Sequence, residues 1–589
     1  MSWPDQKYVN FPFVKTTNIQ CQNGAGTNGI SIGKDAGYSN QGKNAIAIGN
    51  LAGQTSQGER AIAIGISSGQ TQQGNNSVAI GWLSGNSTQG AGSVAIGQQA
   101  GQLTQGIQSV AIGIFAGSQG QANQAVAIGD SSGHEGQGFG SVAIGLNAGQ
   151  TQQGGNAVTI GGSSGRLSQS SGATAIGVLA GSNNQGTDAT AIGISSGQYT
   201  QGFRAVAIGY QAGQSNQRTN AVAIGLTAGR FLQGTSAIAI GELAGNNTQG
   251  ENAIAIGKSA GTTGQRSGAI AIGLQAGAFG ATAGSTQGQG LDAIAIGVNS
   301  GATNQGGNAV AIGKLCGASN QGASGVAIGN DCARTNQGQS SVAIGVQAGS
   351  DIQGQQCVAI GNSAGFQSQG SGAIAIGFAA GAYSLSTQGI NSISIGVNAG
   401  STGQNSGAIA IGFGAGRTNQ GTNSIAIGVN AGNTNQAAGT IILNAKGTVI
   451  TGATANAFYV GPVRGAALAT PVMVYNTATD EISYNTSSIK YKKNVIDLQE
   501  DTTKIYNIRA REYDTKDENK HYIGYIAEEL NDLDTYFTWK NPDGTPEGIE
   551  WFNLLIYSIE EVKKLRTEVN LLTQQNDDIL QRLTNLENK

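Results

Sequence analysis

Proline is nearly missing from this chain, at 6 of 589 residues, and histidine (2) and cysteine (4) are as scarce. Glycine, by contrast, numbers 97, yet collagen and disordered Gly/Pro tracts both need the proline that is not there. Two histidines and four cysteines leave little room for a zinc site or a disulfide scaffold, so no metal and no other cofactor is expected. Charged residues make up only 11% and the formal net charge is −3, which gives no reason to expect nucleic acid or an anionic membrane as a partner. There is no run of eighteen apolar residues, and the opening MSWPDQKYVN lacks a basic n-region followed by an apolar stretch. The expectation is a soluble chain with no signal peptide and no membrane insertion of its own.

The composition is uneven. Residues 481–589 hold 35 of the 63 charges and only 3 of the 97 glycines, so two kinds of protein are joined. The glycine-rich part is periodic. A segment of the form Ala/Ser-Ile/Val-Ala-Ile-Gly ends at Gly33, Gly49 and Gly65 and recurs every 16 residues to Gly273. After a 24-residue step it resumes at Gly297 and runs to Gly377, and a 19-residue step leads to Gly396, Gly412 and Gly428. These are 25 anchor glycines, with one further coil closing at Asn444. Sixteen residues are too few for a helical repeat, and Ala45-Ile46-Ala47-Ile48 alternates with period two. Each repeat therefore reads as one coil of a parallel β-solenoid. Ile46 and Ile48 are expected to fill the coil, which leaves Ala45 and Ala47 as an outward stripe along which identical rods would pack.

Glutamine stands eight residues before each anchor from Gly49 onward, from Gln41 through Gln289 and Gln388 to Gln436. Stacked amides at one coil spacing predict a hydrogen-bonded ladder along the rod. Cys316 and Cys332 lie one repeat apart, close enough in a stacked fold for a disulfide, although buried free thiols are the expected state. His134 reads as an exposed loop residue. There is no GGxGxD calcium repeat and no Thr-x-Thr ladder of an ice-binding solenoid. The two irregular steps add residues at 276–285 and 381–386, which makes Ala276, Phe279, Ser285 and Tyr383 candidate contacts to a host receptor or glycan. The aromatic start, Trp3, Tyr8, Phe11 and Phe13, is expected to cap the first coil, with docking onto other virion proteins as the alternative.

The units SVAIGWLSG and NAIAIGNLAG resemble the head repeats of trimeric autotransporter adhesins of the YadA type, whose own repeats are a little shorter. The resemblance implies a left-handed parallel β-roll assembled as a homotrimer. Beyond Lys446, short strands around Phe458, Met473 and Glu481 resemble the neck that precedes the chaperone domain in fibre proteins of bacteriophages and large DNA viruses. Then follow Ser487, Lys492, Asn494 and Val495, in the pattern Ser-x-x-x-x-Lys-x-Asn-hydrophobic, and further on Gly524-Tyr525-Ile526-Ala527-Glu528-Glu529-Leu530 and a terminal helix. These resemble the intramolecular chaperone of endosialidase tailspikes, the peptidase S74 domain, over about 100 residues. The resemblance implies Ser487 as nucleophile and Lys492 as general base, with cleavage between Thr486 and Ser487. Lys490 and Lys493 could assist, since a lysine acts as a base only when burial or a neighbouring cation disfavours its charged form. His521 lies three residues before Gly524, where the family often has a histidine two before, which weakens a supporting role for it.

The last 35 residues carry a heptad with Leu555, Val562, Val569, Asn576 and Leu583 at a, and Ser558, Leu565, Leu572, Ile579 and Leu586 at d. The organisation expected is an N-terminal cap over 1–28, a solenoid over 29–445, a β neck over 446–486, and an α+β chaperone over 487–589 with a coiled coil over 553–589. Function follows as a homotrimeric virion fibre or spike, made in the host cytoplasm, in which the only catalysis is a single self-cleavage. A surface adhesin of the same architecture is the alternative. A glycan-degrading spike would need paired carboxylates in a groove, and residues 1–480 hold only 28 charges with no acidic cluster.

Overall fold

A computed structural model describes residues 27–279, 288–382, 388–464, 473–476, 479–484, 486–516, 520–541 and 543–588. Trp3, Tyr8, Phe11, Phe13, Ser285, Tyr383 and Ser386 lie outside these residues. The chain divides into two compact units at Val463/Arg464.

The first unit is a parallel β-solenoid. One strand from each coil, Ile30–Ile32, Ile46–Ile48, Ile62–Ile64 and so on, joins a 27-stranded sheet in which every pair is parallel and in register, such as Val206↔Val222 and Ile208↔Ile224. At about 4.8 Å per rung, 27 rungs extend over roughly 125 Å. A second ladder runs through the Thr55–Gln57 type of strand, in sheets of 14, 5 and 2 strands. Its 14-stranded part ends at Thr263–Gln265 and its 5-stranded part starts at Thr303–Gln305, on either side of the 24-residue step. The main sheet crosses that step unbroken, with Ile270 paired to Ile294. Phe458–Gly461 adds a last rung beside Ile441–Asn444.

The coil around Gly209 shows why these residues adopt this shape. Ala205, Ala207, Ala212 and Gln217 are buried, whereas Val206 and Ile208 are only half-buried and Tyr210 is exposed. This inverts the expected orientation: alanine faces in and the branched residues face out. The cause is width. Two three-residue strands joined within 16 residues leave an interior that methyl groups and one glutamine amide already fill. Where alanine gives way to serine or threonine inside, as at Ser394 and Thr159, the hydroxyl is bonded within the glutamine ladder: Ser394 Oγ donates to Gln404 Oε1 at 2.6 Å, and Gln153 Nε2 donates to Thr159 Oγ1 at 3.3 Å. Among the described residues, the coil closing at Asn444 differs in that a large aliphatic side chain, Ile442, enters the interior beside the glutamine, and Ile450 and Tyr459 pack on it.

Glycine is dictated at two slots. At Gly209 φ is +127°, and a Cβ there would stand 2.6 Å from the carbonyl oxygen of Gly225 in the next coil. At Gly213 φ is +51°, and a Cβ would meet Gln217 Oε1 at 2.7 Å. Gln211, Asn216 and Asn220 in the same coil are also left-handed. Asparagine, which tolerates that region best after glycine, recurs at these three slots along the rod.

The expected glutamine ladder is present and lies in the core of the coils. Gln217 Nε2 donates to the Val206 carbonyl at 2.8 Å, to the Ala221 carbonyl at 3.2 Å and to Gln233 Oε1 at 3.0 Å, and Gln217 Oε1 accepts from Gln201 at 3.1 Å. The same donation links Gln169 through Gln185, Gln201, Gln217, Gln233, Gln249 and Gln265 to Gln289. The Oε1 atoms of Gln57, Gln89, Gln121, Gln169, Gln305, Gln388 and Gln436 have no partner among the described residues.

Two further expectations are corrected. Cys316 and Cys332 form a disulfide rather than two free thiols, because interior slots of stacked coils bring their Cα atoms to 4.7 Å. Cys357 is a buried free thiol, its pKa raised by desolvation. His134 is half-buried rather than exposed, edge-on to Phe115 with ring centroids 5.9 Å apart.

The second unit has a small core of Leu530, Phe537, Leu554 and Tyr557, with Ile505, Ile508, Tyr525, Leu533 and Ile549 packed against it. Its described residues contain three antiparallel hairpins, Met473–Asn476 with Glu481–Tyr484, Arg511–Asp514 with His521–Gly524, and Thr538–Lys540 with Pro546–Ile549. Helix α1 spans Ala527–Leu533 and α2 spans Trp551–Glu587. Among the described residues no helix is long and apolar enough to cross a membrane.

Candidate functional site

Ser487 and Lys492 are brought together by local backbone alone. A single 3-10 turn, Ile489–Tyr491, reverses the chain between them, with Tyr491 N–H donating to the Ser488 carbonyl and Lys492 N–H to the Ile489 carbonyl, both at 3.0 Å. Lys492 Nζ then lies 2.8 Å from Ser487 Oγ. A nucleophile and a base need this distance for proton transfer. Both residues are exposed, as are Thr486, Ile489, Tyr491, Val495 and Ile496 around them.

The other residues singled out near the motif do different work. Lys490 lies over the ring of Tyr491, 4.7 Å from its centroid. His521 sits in a hairpin with Nδ1 3.1 Å from Asp514 and Nε2 3.8 Å from Glu512, so its neighbours are carboxylates. Within the downstream element, Leu530 enters the core and Glu529 receives a bidentate bond from Arg511 at 2.8 and 2.9 Å, which holds the Glu529 carboxyl below the usual carboxylate range.

A polar cluster that sequence reasoning missed fastens α2 to this unit. Asp534 is buried and accepts from Lys504 at 2.9 Å, from Tyr557 at 3.0 Å and from the Tyr536 N–H at 2.9 Å. Burial pushes its pKa up, but these three donors outweigh burial and hold it below the usual value. Glu561 accepts from Lys564 at 2.8 Å and from Thr502, and its carboxyl is likewise held low, by Lys564 first and Thr502 second. The signal lay in the spacing of Tyr557 and Glu561, which puts one polar residue per turn on the face of Leu554.

Beyond that face, α2 is bare. Leu555, Val562, Leu565, Val569, Leu572, Ile579, Leu583 and Leu586, all at heptad a and d positions, are between 47% and 69% exposed. The solenoid carries a second bare surface. The residue before each anchor, such as Ile208, Ile240 and Ile344, and the Val or Ile two before that form two outward columns. The residue after the anchor adds a third that the sequence reading overlooked: Ile66, Trp82, Ile114, Leu146, Ile194, Tyr210, Leu226, Phe378 and Phe413 are each about half exposed, between 46% and 56%.

Of the candidate receptor contacts, Ala276 is fully buried in an interior slot and presents no side chain to a partner. Phe279 is 48% exposed and bridges in parallel to Thr303 at the break in the second ladder. Ser285 and Tyr383 lie outside the described residues.

A family model described as the YadA head domain repeat matches residues 56–84, 249–276, 289–314 and 420–431. No curated protein and no solved structure matches the chain. The matched segments all fall on solenoid coils whose neighbours repeat the same pattern, so the rod is built of YadA-like head repeats, the construction of a fibre- or adhesin-type structural protein.

Proposed function

We propose that this chain is the precursor of a homotrimeric attachment fibre of a virus or phage, assembled by its C-terminal unit and then cut between Thr486 and Ser487. The observation that carries the reading is the bare outward face of the solenoid, three apolar columns wide and repeated along the 27-stranded sheet. Monomers rarely leave contiguous apolar patches beyond a few hundred Å² open to water. Copies of the same chain, aligned rung to rung, are the partner whose surface repeats at the same interval. The a and d residues of α2 supply a second self-complementary seam, at which three chains would meet first.

Cleavage is the second part of the proposal. Ser487 Oγ attacks the carbonyl carbon of Thr486 while its proton passes to Lys492 Nζ. As the C–N bond breaks, that proton goes to the Ser487 amide nitrogen, leaving an ester that water hydrolyses. Lysine accepts a proton only when burial or a nearby cation favours its neutral form, and in the single chain Lys492 is exposed. Packing of neighbouring chains over Thr486–Ile496 would provide that burial and tie the cut to assembly. Removal of the C-terminal unit then leaves the rod without its route of disassembly.

Expression of the wild type beside Ser487→Ala tests both parts. The expected result is a 1–486 product of trimeric mass from the wild type and an uncut trimer from the variant. Uncut chains from both would refute self-cleavage, and a monomeric 1–486 product would refute the trimeric fibre. The YadA-like repeats also favour a cell-surface adhesin of the same architecture; accumulation of the cut product in purified particles decides for the virion.

A further inference from the structure

Helix α2 is covered on one flank of its seam and bare on the other. With Leu555 at a and Ser558 at d, Leu554 and Glu561 fall at g, whereas Phe552, Ile559 and Arg566 fall at e. On the g flank Leu554 and Glu561 are buried by the chain's own C-terminal unit: Ile505 and Ile508 pack against the cluster that contains Leu554, and Thr502 donates to Glu561. On the e flank Phe552 is 60% exposed and Ile559 45%, and Arg566 is exposed as well. A groove opens between the covered flank and the seam, lined by Ile505, Ile508, Tyr525, Trp551, Leu554 and Leu555. The Tyr525 and Trp551 rings lie 6.0 Å apart along it, and Ser558 beside them donates its hydroxyl to the Leu554 carbonyl at 2.8 Å, which leaves the groove largely apolar.

We infer that this groove receives the e flank of α2 from a second copy of the chain, so that each C-terminal unit is completed by its neighbour. This rests on the self-association proposed above and specifies which surfaces it joins. In a parallel coil each g residue faces the e residue five positions further on in the adjacent helix. Leu554 then meets Ile559, an apolar pair beside the groove, and Glu561 meets Arg566, a pair of opposite charge. Glu568, also at g, adds a second carboxylate near Arg566, against the single ammonium of Lys564. Phe552, one heptad before Ile559, falls at the end of the groove near Trp551. Each copy offers its e flank on one side and its groove on the other, a head-to-tail contact of the kind that closes as a ring. Antiparallel helices in full overlap would instead set g against g and bring Arg582 nearest to Leu554, at the cost of an unpaired charge on an apolar groove.

The test uses the full chain carrying Ser487→Ala, with the photoreactive residue p-benzoylphenylalanine in place of Phe552 or, separately, of Ile559. Irradiation should give covalent dimers on a denaturing gel, and peptide mapping should join the probe to residues 502–511 or 524–530 of another copy. The same probe in place of Leu571, which is 54% exposed at a c position, should give several-fold fewer dimers. Dimers joined only through α2, or links confined to one chain in an oligomer of unchanged mass, overturn the groove as the seat of the neighbour. A second reading needs no probe: Ile559→Asp should lower the yield of oligomer several-fold with helix content unchanged, and Leu571→Asp should not. Equal yields from these two variants likewise overturn the assignment. A monomeric parent overturns the self-association itself, which solution mass reveals before any irradiation.

Discussion

Replacement of Gln217 probes the interior of the rod. Its Nε2 serves the carbonyls of Val206 and Ala221 and the Oε1 of Gln233, and its own Oε1 accepts from Gln201. Leucine has a similar volume and serves none of these. Gln233 Oε1 would lose its donor at about 1–3 kcal/mol, and with the loss of the two carbonyl contacts Gln217→Leu should cost about 2–4 kcal/mol. Glutamate has the shape of glutamine but, when ionised, no hydrogen to give. It would turn a charge toward the three oxygens that Gln217 serves, so the cost should reach about 3–5 kcal/mol at neutral pH. Burial among oxygens raises the folded-state pKa of such a glutamate. The deficit of Gln217→Glu therefore shrinks as pH falls toward the ordinary carboxylate value of about 4.3, where the protonated acid can donate again, and grows as pH rises. Stability in a repeat array is local, so the measurement is amide hydrogen exchange resolved by peptide. Faster exchange should centre on residues 201–237 and fade within a few coils on either side. Protection unchanged in both variants, or a Gln217→Glu deficit independent of pH, would refute the buried ladder.

Three further outcomes follow from the geometry. Ala239, wholly buried, has no room to grow, so Ala239→Ile should cost about 1–3 kcal/mol or more and loosen its coil, whereas Ile240→Lys, on the 36% exposed neighbour, should leave the coil intact in hydrogen exchange and impair only self-association in sedimentation. Because the folded Asp534 carboxyl lies below its unfolded value, its contribution is complete above about pH 4 and is lost as pH falls through the folded value; denaturant melts of the C-terminal unit should show a decline on acidification that Asp534→Asn flattens. Val569→Asp, on the exposed a position of α2, should leave helix content by circular dichroism little changed while it lowers trimer yield, and an unchanged yield would remove α2 from assembly.

The period, the parallel solenoid and the glutamine ladder were legible because each depends on spacing alone. Orientation was not, since Ala45-Ile46-Ala47-Ile48 is apolar on both faces and alternation does not say which face is inside. A usable signal did exist within the repeats. The slots of Ala45, Ala47 and Ala52 accept mainly Ala, Ser, Thr or Cys until Ile442, whereas the slot of Asn50 holds Trp82, Tyr210, Phe378 or Lys258 in other coils. A slot restricted in size is enclosed, and one free in size faces out. The Ser487 and Lys492 pair was legible as a motif, and the 3-10 turn that joins them is short enough for five residues to encode. Asp534 could not be foreseen, because its partners Lys504 and Tyr557 lie 30 and 23 residues away.

The disulfide between Cys316 and Cys332 bears on how the rod carries load. In a parallel solenoid the backbone bonds between coils run along the long axis, so tension along the rod would fall on successive rungs in series, like the turns of a spring, and the weakest gap would open first. A covalent link between two stacked coils removes one gap from that series. Coils on either side would yield to a pull before this one does, which makes residues 313–332 a fixed joint within an otherwise extensible shaft.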